Sequence, residues 1–398
     1  MSRFIRGNRD LIKDMNRSLL LNIIRREGRI SRKQLTEVSG LSVGSVSGIV
    51  TELLSNHWIL EVGEGDYTGG RRQTFIKLNP KVGYAIGLKL MESRVVVAIT
   101  NFEAEILTYY EETYTFTPDP ETLVQTLSRI IRKAIAESPS DSERLFGVGI
   151  GLAGVVYPNT GIVHHSPFFG WRDLPLATLI EQQINCPVYI ENDVNTLTLT
   201  EQLFGIGKHY SNFAVVTIGR GIGMGLVINN QLYRGVRGGA GEFGHMILIQ
   251  ESASHDLLSF KTLEDSASDP AIINNLSHQG SLSSTRDLDE IIQLANTGNL
   301  HAQRELNRSG QLLGVGLANI INVLNPELII ISGEGTVAGD YRIQPMLESM
   351  EKYTFNGLLD DIKVAIEPTD DRAWARGAAS LVISKVFESP IEDARVDS

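Results

Sequence analysis

From residue 84 onward, short apolar runs of strand length alternate with longer stretches of helical period. That alternation constrains the chain more than any other feature. Tyr84–Leu90 and Arg94–Ile99 read as strands. Leu123, Val124, Leu127, Ile130, Ile131 and Ile135 then share one face of a helix over 121–136. Phe146–Gly154 reads as a buried strand running into a glycine loop, and Pro187–Ile190 as another strand. Strands separated by helices predict an α/β architecture. The stretch 81–398 is longer than one ordinary core supports, so two lobes with a cleft are expected.

The first 80 residues follow a different plan. Leu19, Leu20, Ile23 and Ile24 recur at helical spacing, and Gly28 follows as a stop. Ser31 is placed as the N-cap of a second helix, with Gln34 at the capping-box position and Leu35 and Val38 on the buried face. Ser39-Gly40-Leu41-Ser42 forms a compact turn, and a third helix runs from Ser42 over Val46, Ile49, Val50, Leu53 and Leu54. A short helix, a glycine turn and a second helix make a helix-turn-helix. Trp58–Val62 and Thr74–Leu78 read as strands around a polar loop holding Arg71 and Arg72, so the motif is winged.

In such a motif the third helix enters the major groove and the wing touches backbone or minor groove. The exposed start of that helix offers Ser42, Val43, Ser45 and Ser47 but no Lys or Arg. Phosphate contacts are therefore expected from Arg32 and Lys33, from Arg71 and Arg72, and from the N-terminal arm. Charge agrees. Residues 1–80 carry 13 Lys/Arg against 8 Asp/Glu, out of 36 and 47 in the chain, so a net of +5 heads a body of net −16. A basic segment on an acidic body fits a polyanion-binding head.

Cys186 is the only cysteine, which excludes an intrachain disulfide and a cysteine-rich zinc module. No apolar run reaches the ~18–20 residues of a membrane span, and Met1–Arg6 is basic without an apolar segment behind it. A cytoplasmic protein with no membrane partner is the expectation.

Several motifs then coincide. Glu191-Asn192-Asp193-Val194-Asn195 follows a strand end, and Thr217–Gly225 is a strand-turn-strand glycine ladder. Gly238–His245 follows, and near the end come Asn325-Pro326-Glu327 and Ile329–Gly333. Together with residues 16–78 these motifs resemble the ROK family (repressors, open reading frames and sugar kinases), most of all its xylose-repressor branch. The most specific parts are Asn192-Asp193 and Gly241-Glu242-Phe243-Gly244-His245.

The resemblance implies a winged helix-turn-helix followed by a two-lobed actin/hexokinase-like ROK domain closing over a sugar. The boundaries expected are 1–80 for the head, 81–193 for the first lobe and 194–398 for the second, with the last helix free to pack back on the first lobe. It places Asp193 at the family's catalytic-base position beside Asn192, and matches Glu242 and His245 to positions that hold sugar hydroxyls. Gly154, Val155 and the Phe169-Gly170-Trp171 turn are expected to line the same pocket, and Glu264 to match a further sugar-contacting Glu.

The phosphate machinery of the family kinases is not matched. They have Asp at the position of Lys89 and Gly-Gly-Thr at Met91-Glu92-Ser93, and Arg220 replaces a small hydroxyl residue between Gly219 and Gly221. Magnesium-nucleotide binding wants that carboxylate. The family's zinc site uses three cysteines after the His, and the stretch near His255, Asp256 and Glu264 has none.

The reading is a sugar-responsive DNA-binding regulator, a repressor, with no catalytic residue, no metal and no cofactor. Its expected partners are operator DNA, a small sugar effector and further copies of itself, as a dimer or tetramer. The alternatives are an ATP-dependent sugar kinase that also binds DNA, and a DNA-bound scaffold with a dead pocket.

Overall fold

The computed structural model describes residues 9–64, 74–117, 119–138, 144–157, 159–251, 258–278 and 287–388. The chain divides into two compact units, residues 1–209 with 374–398 and residues 210–373.

The first unit opens with the helices α1 (Arg9–Glu27), α2 (Arg32–Ser39) and α3 (Val43–Ser55). Strand β1 (Ile30–Ser31) joins β3 (Thr74–Leu78) and β2 (Ile59–Glu64) in a three-stranded sheet of order β1-β3-β2, the wing. The local signals explain these boundaries. The Gln34 amide donates to Ser31 Oγ at 3.3 Å, and the Ser31 amide donates back to Gln34 Oε1 at 3.0 Å, so the expected capping box forms. Ser42 caps α3 in the same manner, accepting from the Ser45 amide at 3.1 Å. One apolar assignment needs correcting: Val38 is 51% exposed, because α2 rests on its neighbours through Leu35. α1 buries Leu20, Leu21, Ile23 and Ile24, with Leu19 on its exposed side.

The body of this unit is a five-stranded sheet of order β11-β7-β4-β5-β6. Its strands are β4 (Gly83–Leu90), β5 (Arg94–Asn101), β6 (Ile106–Thr113), β7 (Arg144–Leu152) and β11 (Val188–Asn192). β4, β7 and β11 run parallel, while β5 and β6 add antiparallel. Between β7 and β11 lie a small antiparallel sheet of β8 (Val155–Tyr157), β9 (Ile162–Ser166) and β10 (Trp171–Leu174) and the helix α5 (Leu176–Ile184). On one face of the large sheet, α4 (Pro120–Glu137) packs Leu123, Leu127, Ile130 and Ile131 into a core with Ile86, Leu88, Val148 and Ile150.

The opposite face takes α6 (Asp193–Leu203) and α12 (Asp371–Phe387). The sheet meets α12 at glycine. A Cβ at Gly149 would lie 1.8 Å from the Ala378 carbonyl oxygen, and one at Gly87 would lie 2.0 Å from that of Ala375. Gly87 and Gly149 are paired across β4 and β7, so adjacent strands together present a smooth seat for the helix.

The second unit repeats the strand plan. Its sheet has order β14-β13-β12-β17-β18, from β12 (Phe213–Ile218), β13 (Ile222–Ile228), β14 (Gln231–Leu232), β17 (Leu328–Ser332) and β18 (Lys363–Ile366). Again the first, fourth and fifth strands are parallel and the second and third antiparallel. β15 (Ile247–Glu251) and β16 (Leu258–Thr262) form a separate hairpin. Helices α7 (Leu263–Ala267), α8 (Asp269–His278), α9 (Leu288–Asn296), α10 (Leu300–Leu324) and α11 (Asp340–Tyr353) complete it. Arg342 of α11 is fully buried and pairs with Asp269 at 2.6 Å; it also donates to Ser309 Oγ at 3.1 Å and to the Ala267 carbonyl at 2.6 Å. Among the described residues, no helix is long and apolar enough to cross a membrane.

Candidate functional site

In the first unit, four expected sugar residues converge at the N-terminal end of α6. Asn192 is its N-cap: Oδ1 accepts from the Val194 and Asn195 amides at 2.9 and 3.2 Å, and Nδ2 donates to the Gly154 carbonyl at 3.1 Å. The Asn192 amide group therefore holds the Gly154–Val155 turn against the helix start. Buried Glu191 braces the same corner, accepting from the Asn192 amide and from Asn195 Nδ2. Asp193 begins the helix, where a negative charge is favoured by the exposed amides; its Oδ1 accepts from the Val194 amide at 2.9 Å.

The other oxygen of Asp193 is ion-paired with Lys89. Both side chains are only 11% exposed. Strand register explains the meeting. Lys89 lies beside Gly151, and Gly151 beside Glu191, so a residue without a side chain separates Lys89 from the start of α6. Trp374 of α12 lies beneath the ammonium, 4.4 Å from Nζ to the ring centroid, a cation–π geometry. The turn that follows is closed by a bond from the Met91 amide to the Arg94 carbonyl at 3.1 Å and by the Tyr114 hydroxyl on the Met91 carbonyl at 2.5 Å.

The Phe169–Trp171 turn adjoins this end through Ser166, which lies against Gly154 and accepts from the Gly170 amide at 2.9 Å. The two rings stack at 4.4 Å, and both are buried in the core with α4 and α5. The sequence signal, an aromatic pair around a glycine, does not distinguish a pocket wall from a core stack.

In the second unit, Glu242 and His245 sit on one short turn, with Nε2 of the histidine 3.9 Å from Oε2 of the glutamate and both side chains exposed. Phe243 between them is buried and anchors the turn. Gly241 is held at φ +90° under β13, where a Cβ would lie 1.9 Å from the Met224 carbonyl oxygen. Glu264 lies beneath that turn, and its carboxylate accepts from the Ile222 amide at 2.8 Å. It braces the glycine hairpin between β12 and β13. Sequence reasoning missed its counterpart: Glu334 Oε1 accepts from the Arg220 amide at 2.9 Å. Two carboxylates thus occupy backbone amides of the glycine ladder. Neither has a local sequence signature, because a backbone donor is the same at every residue. Among the described residues, no group of three His, Cys, Asp or Glu side chains is placed to hold a metal ion; His255 and Asp256 lie outside them.

The head presents Ser42, Val43, Ser45 and Ser47 to solvent at the start of α3, with Val43 74% exposed. Ser42 Oγ accepts from the Ser45 amide at 3.1 Å and shares a 2.9 Å bond with the Ser45 hydroxyl, so the two side chains brace each other at the helix start. Arg32 Nη2 lies 3.2 Å from Glu61 and Lys33 Nζ 3.9 Å from Glu37, both exposed pairs that phosphates can compete for. Arg71 and Arg72 fall outside the described residues. The head shares a core with the sheet behind it: Trp58 meets Phe102 at 5.5 Å and Phe146 at 5.8 Å, and Phe102 stacks on Phe387 of α12 at 5.3 Å.

Comparison with known proteins covers both parts. Residues 85–385 match the ROK family, and residues 16–59 match a winged helix-turn-helix DNA-binding family. The chain is 30% identical over 395 residues to the xylose repressor of Caldicellulosiruptor bescii, covering 96% of this chain and 99% of that one. The fold is similar to a ROK family transcriptional regulator, a homolog of the Escherichia coli MLC protein, with a TM-score of 0.82 at 22% identity over 98% of this chain and 100% of that one. It is also similar to a ROK family glucokinase from Streptomyces griseus solved with glucose and AMPPNP, with a TM-score of 0.63 at 24% identity over 75% of this chain and 99% of that one.

Proposed function

The chain belongs to the ROK family, and from that premise we propose that it is a sugar-responsive repressor of transcription whose ROK domain binds carbohydrate without phosphorylating it. It works in the cytoplasm on operator DNA, as a symmetric dimer or tetramer reading paired half-sites. The observation that carries the reading is the core shared by Trp58 of the head with Phe102, Phe146 and Phe387, which ties the DNA reader to the lobe holding Asn192 and Asp193. Operator contacts are assigned to Ser45, Ser47, Val43 and the Ser42-capped helix start, with Arg32, Lys33, Arg71 and Arg72 on phosphates.

Sugar hydroxyls are assigned to Asp193 and the Gly154–Val155 turn in the first unit and, taken by itself, to the Glu242–His245 turn in the second. Asn192 and Glu264 act by holding these elements in place. A site made of such donors and acceptors discriminates strongly, since a wrong sugar leaves polar groups unpaired. The paired charges of Lys89 and Asp193 suit a neutral sugar.

The residues present do not fit a magnesium nucleotide. A cation stands at Lys89 and takes the carboxylate that a kinase uses as base. Glu334 and Glu264 take ladder amides that would face phosphate, and like charge repels it.

The test is a gel shift with the full-length protein on a duplex selected from random DNA, titrated with D-xylose, D-glucose, N-acetylglucosamine and common disaccharides. One of these should weaken binding about 5- to 150-fold, the usual range of coupling. Asp193→Ala should remove that response while DNA binding itself stays measurable. No response to any sugar in the panel sinks the sensor, and phosphate transfer to a hexose in a coupled ATP assay establishes the kinase instead.

A further inference from the structure

Two helices of the first unit run from the Lys89–Asp193 pair to the head. α6 starts at Asp193 and ends at Leu203; α12 carries Trp374 near its start and Phe387 at its end. At ~1.5 Å per residue these spans are about 15 and 20 Å. The two helices are bonded to each other, Thr200 Oγ1 to Ser380 Oγ at 3.0 Å, and Gly377 lets their backbones approach.

Both C-terminal ends are capped by one helix of the head, α1. Arg25 Nη1 donates to the Leu203 carbonyl at 2.5 Å, and Asn22 Nδ2 donates to the Phe387 carbonyl at 2.8 Å. Ser18 Oγ reaches the Glu388 carbonyl at 3.2 Å, and Arg25 Nη2 bonds Asn22 Oδ1 at 3.2 Å, joining the two caps. The Arg25 guanidinium also lies 5.2 Å from the centroid of the Phe387 ring. Arg25 is half-buried, and a cation at a helix C-terminus meets the negative end of its dipole. Burial is deep enough to push Arg25 down to about 10.

We propose that Arg25 is the positioning residue through which the Lys89–Asp193 end controls the DNA-binding head. One end of α6 bears the carboxylate that Lys89 holds, and the other bears the carbonyl that Arg25 holds. Any rearrangement of the first that moves α6 along its axis changes the second. α12, with Trp374 under Lys89 and Phe387 under Arg25, moves in step. The inference rests on the reading of the Asp193 end as the effector site.

The test needs neither sugar nor DNA, so its failure leaves the sensor reading standing, and a protein that binds no sugar leaves this test intact. Hydrogen–deuterium exchange is followed on the full chain as wild type, Lys89→Met, Arg25→Ala and the double variant. Lys89→Met is expected to speed exchange in α1 by about fivefold or more, the low end of a site-to-site coupling. In the Arg25→Ala background the same substitution is expected to add no further acceleration. Helix α4, which touches neither cap, is the control and should exchange at one rate in all four. An α1 rate that does not rise in Lys89→Met, a rise that persists without Arg25, or an equal rise in α4 overturns the proposal. Arg25→Met, which keeps the apolar stem but cannot donate to the Leu203 carbonyl, serves in place of Arg25→Ala if that protein does not fold, with the same outcomes read the same way.

Discussion

At the scale of the residue, two buried or nearly buried ion pairs behave differently. Lys89 and Asp193 meet where a ligand is proposed to enter, with a small fraction of each side chain still open to water. Arg342 and Asp269 meet where nothing enters, and Arg342 also satisfies Ser309 and the Ala267 carbonyl. Such a pair is weak evidence for stability by comparison with an apolar replacement, but breaking it is costly. Arg342→Met leaves the Asp269 carboxylate buried without its cation and should destabilise the second unit by about 3–5 kcal/mol. Arg342→Met with Asp269→Asn should recover part of that loss. Urea unfolding of the single and double variants measures both, and a single variant as stable as wild type would mean that water reaches Asp269. Neither pair was legible in the sequence. Lys89 and Asp193 lie 104 positions apart, and Arg342 and Asp269 lie 73 apart, so only the folded chain brings them together.

At the scale of the element, what could be read was what is local. The capping box of α2 uses side chains three residues apart, and the apolar stripe of α4 repeats within one helix. Val38 was misplaced because helical period gives a stripe but not its edges, which the neighbouring elements set. Gly87 of β4 and Gly149 of β7 were read as strand features; their reason is the backbone of α12. That reason predicts a cost. Gly149→Ala forces a methyl group against the Ala378 carbonyl, and overpacking of this kind costs about 1–3 kcal/mol or more. Gly170→Ala makes a useful contrast, since no atom lies within 4 Å of its Cβ position and any loss there comes from φ +68° alone. Thermal melts of the two variants decide it, and equal losses would remove steric contact with α12 as the cause.

At the scale of the whole molecule, charge and topology were unequally visible. The basic head and acidic body are a property of composition and were read directly. The repeated strand order of the two sheets was not, because strand pairing between distant segments leaves no mark on a single sequence. The charge split carries its own prediction. Each phosphate contact contributes about −0.9 to the slope of log affinity against log salt on duplex DNA. Replacing Arg71 and Arg72 by alanine should therefore flatten that slope by about 2 and weaken binding to all sequences alike. A slope unchanged in fluorescence anisotropy titrations across salt concentrations would take the wing off the DNA.

Residues 374–388 belong with the described residues up to 209, although the chain reaches them only after building the whole of the other unit. The sheet bearing Gly87 and Gly149 must therefore wait until residues 210–373 have been made before it receives the helix shaped to fit it. A late frameshift, which in many proteins trims an idle tail, would here strip the hydrophobic backing from the operator-reading module at the opposite terminus.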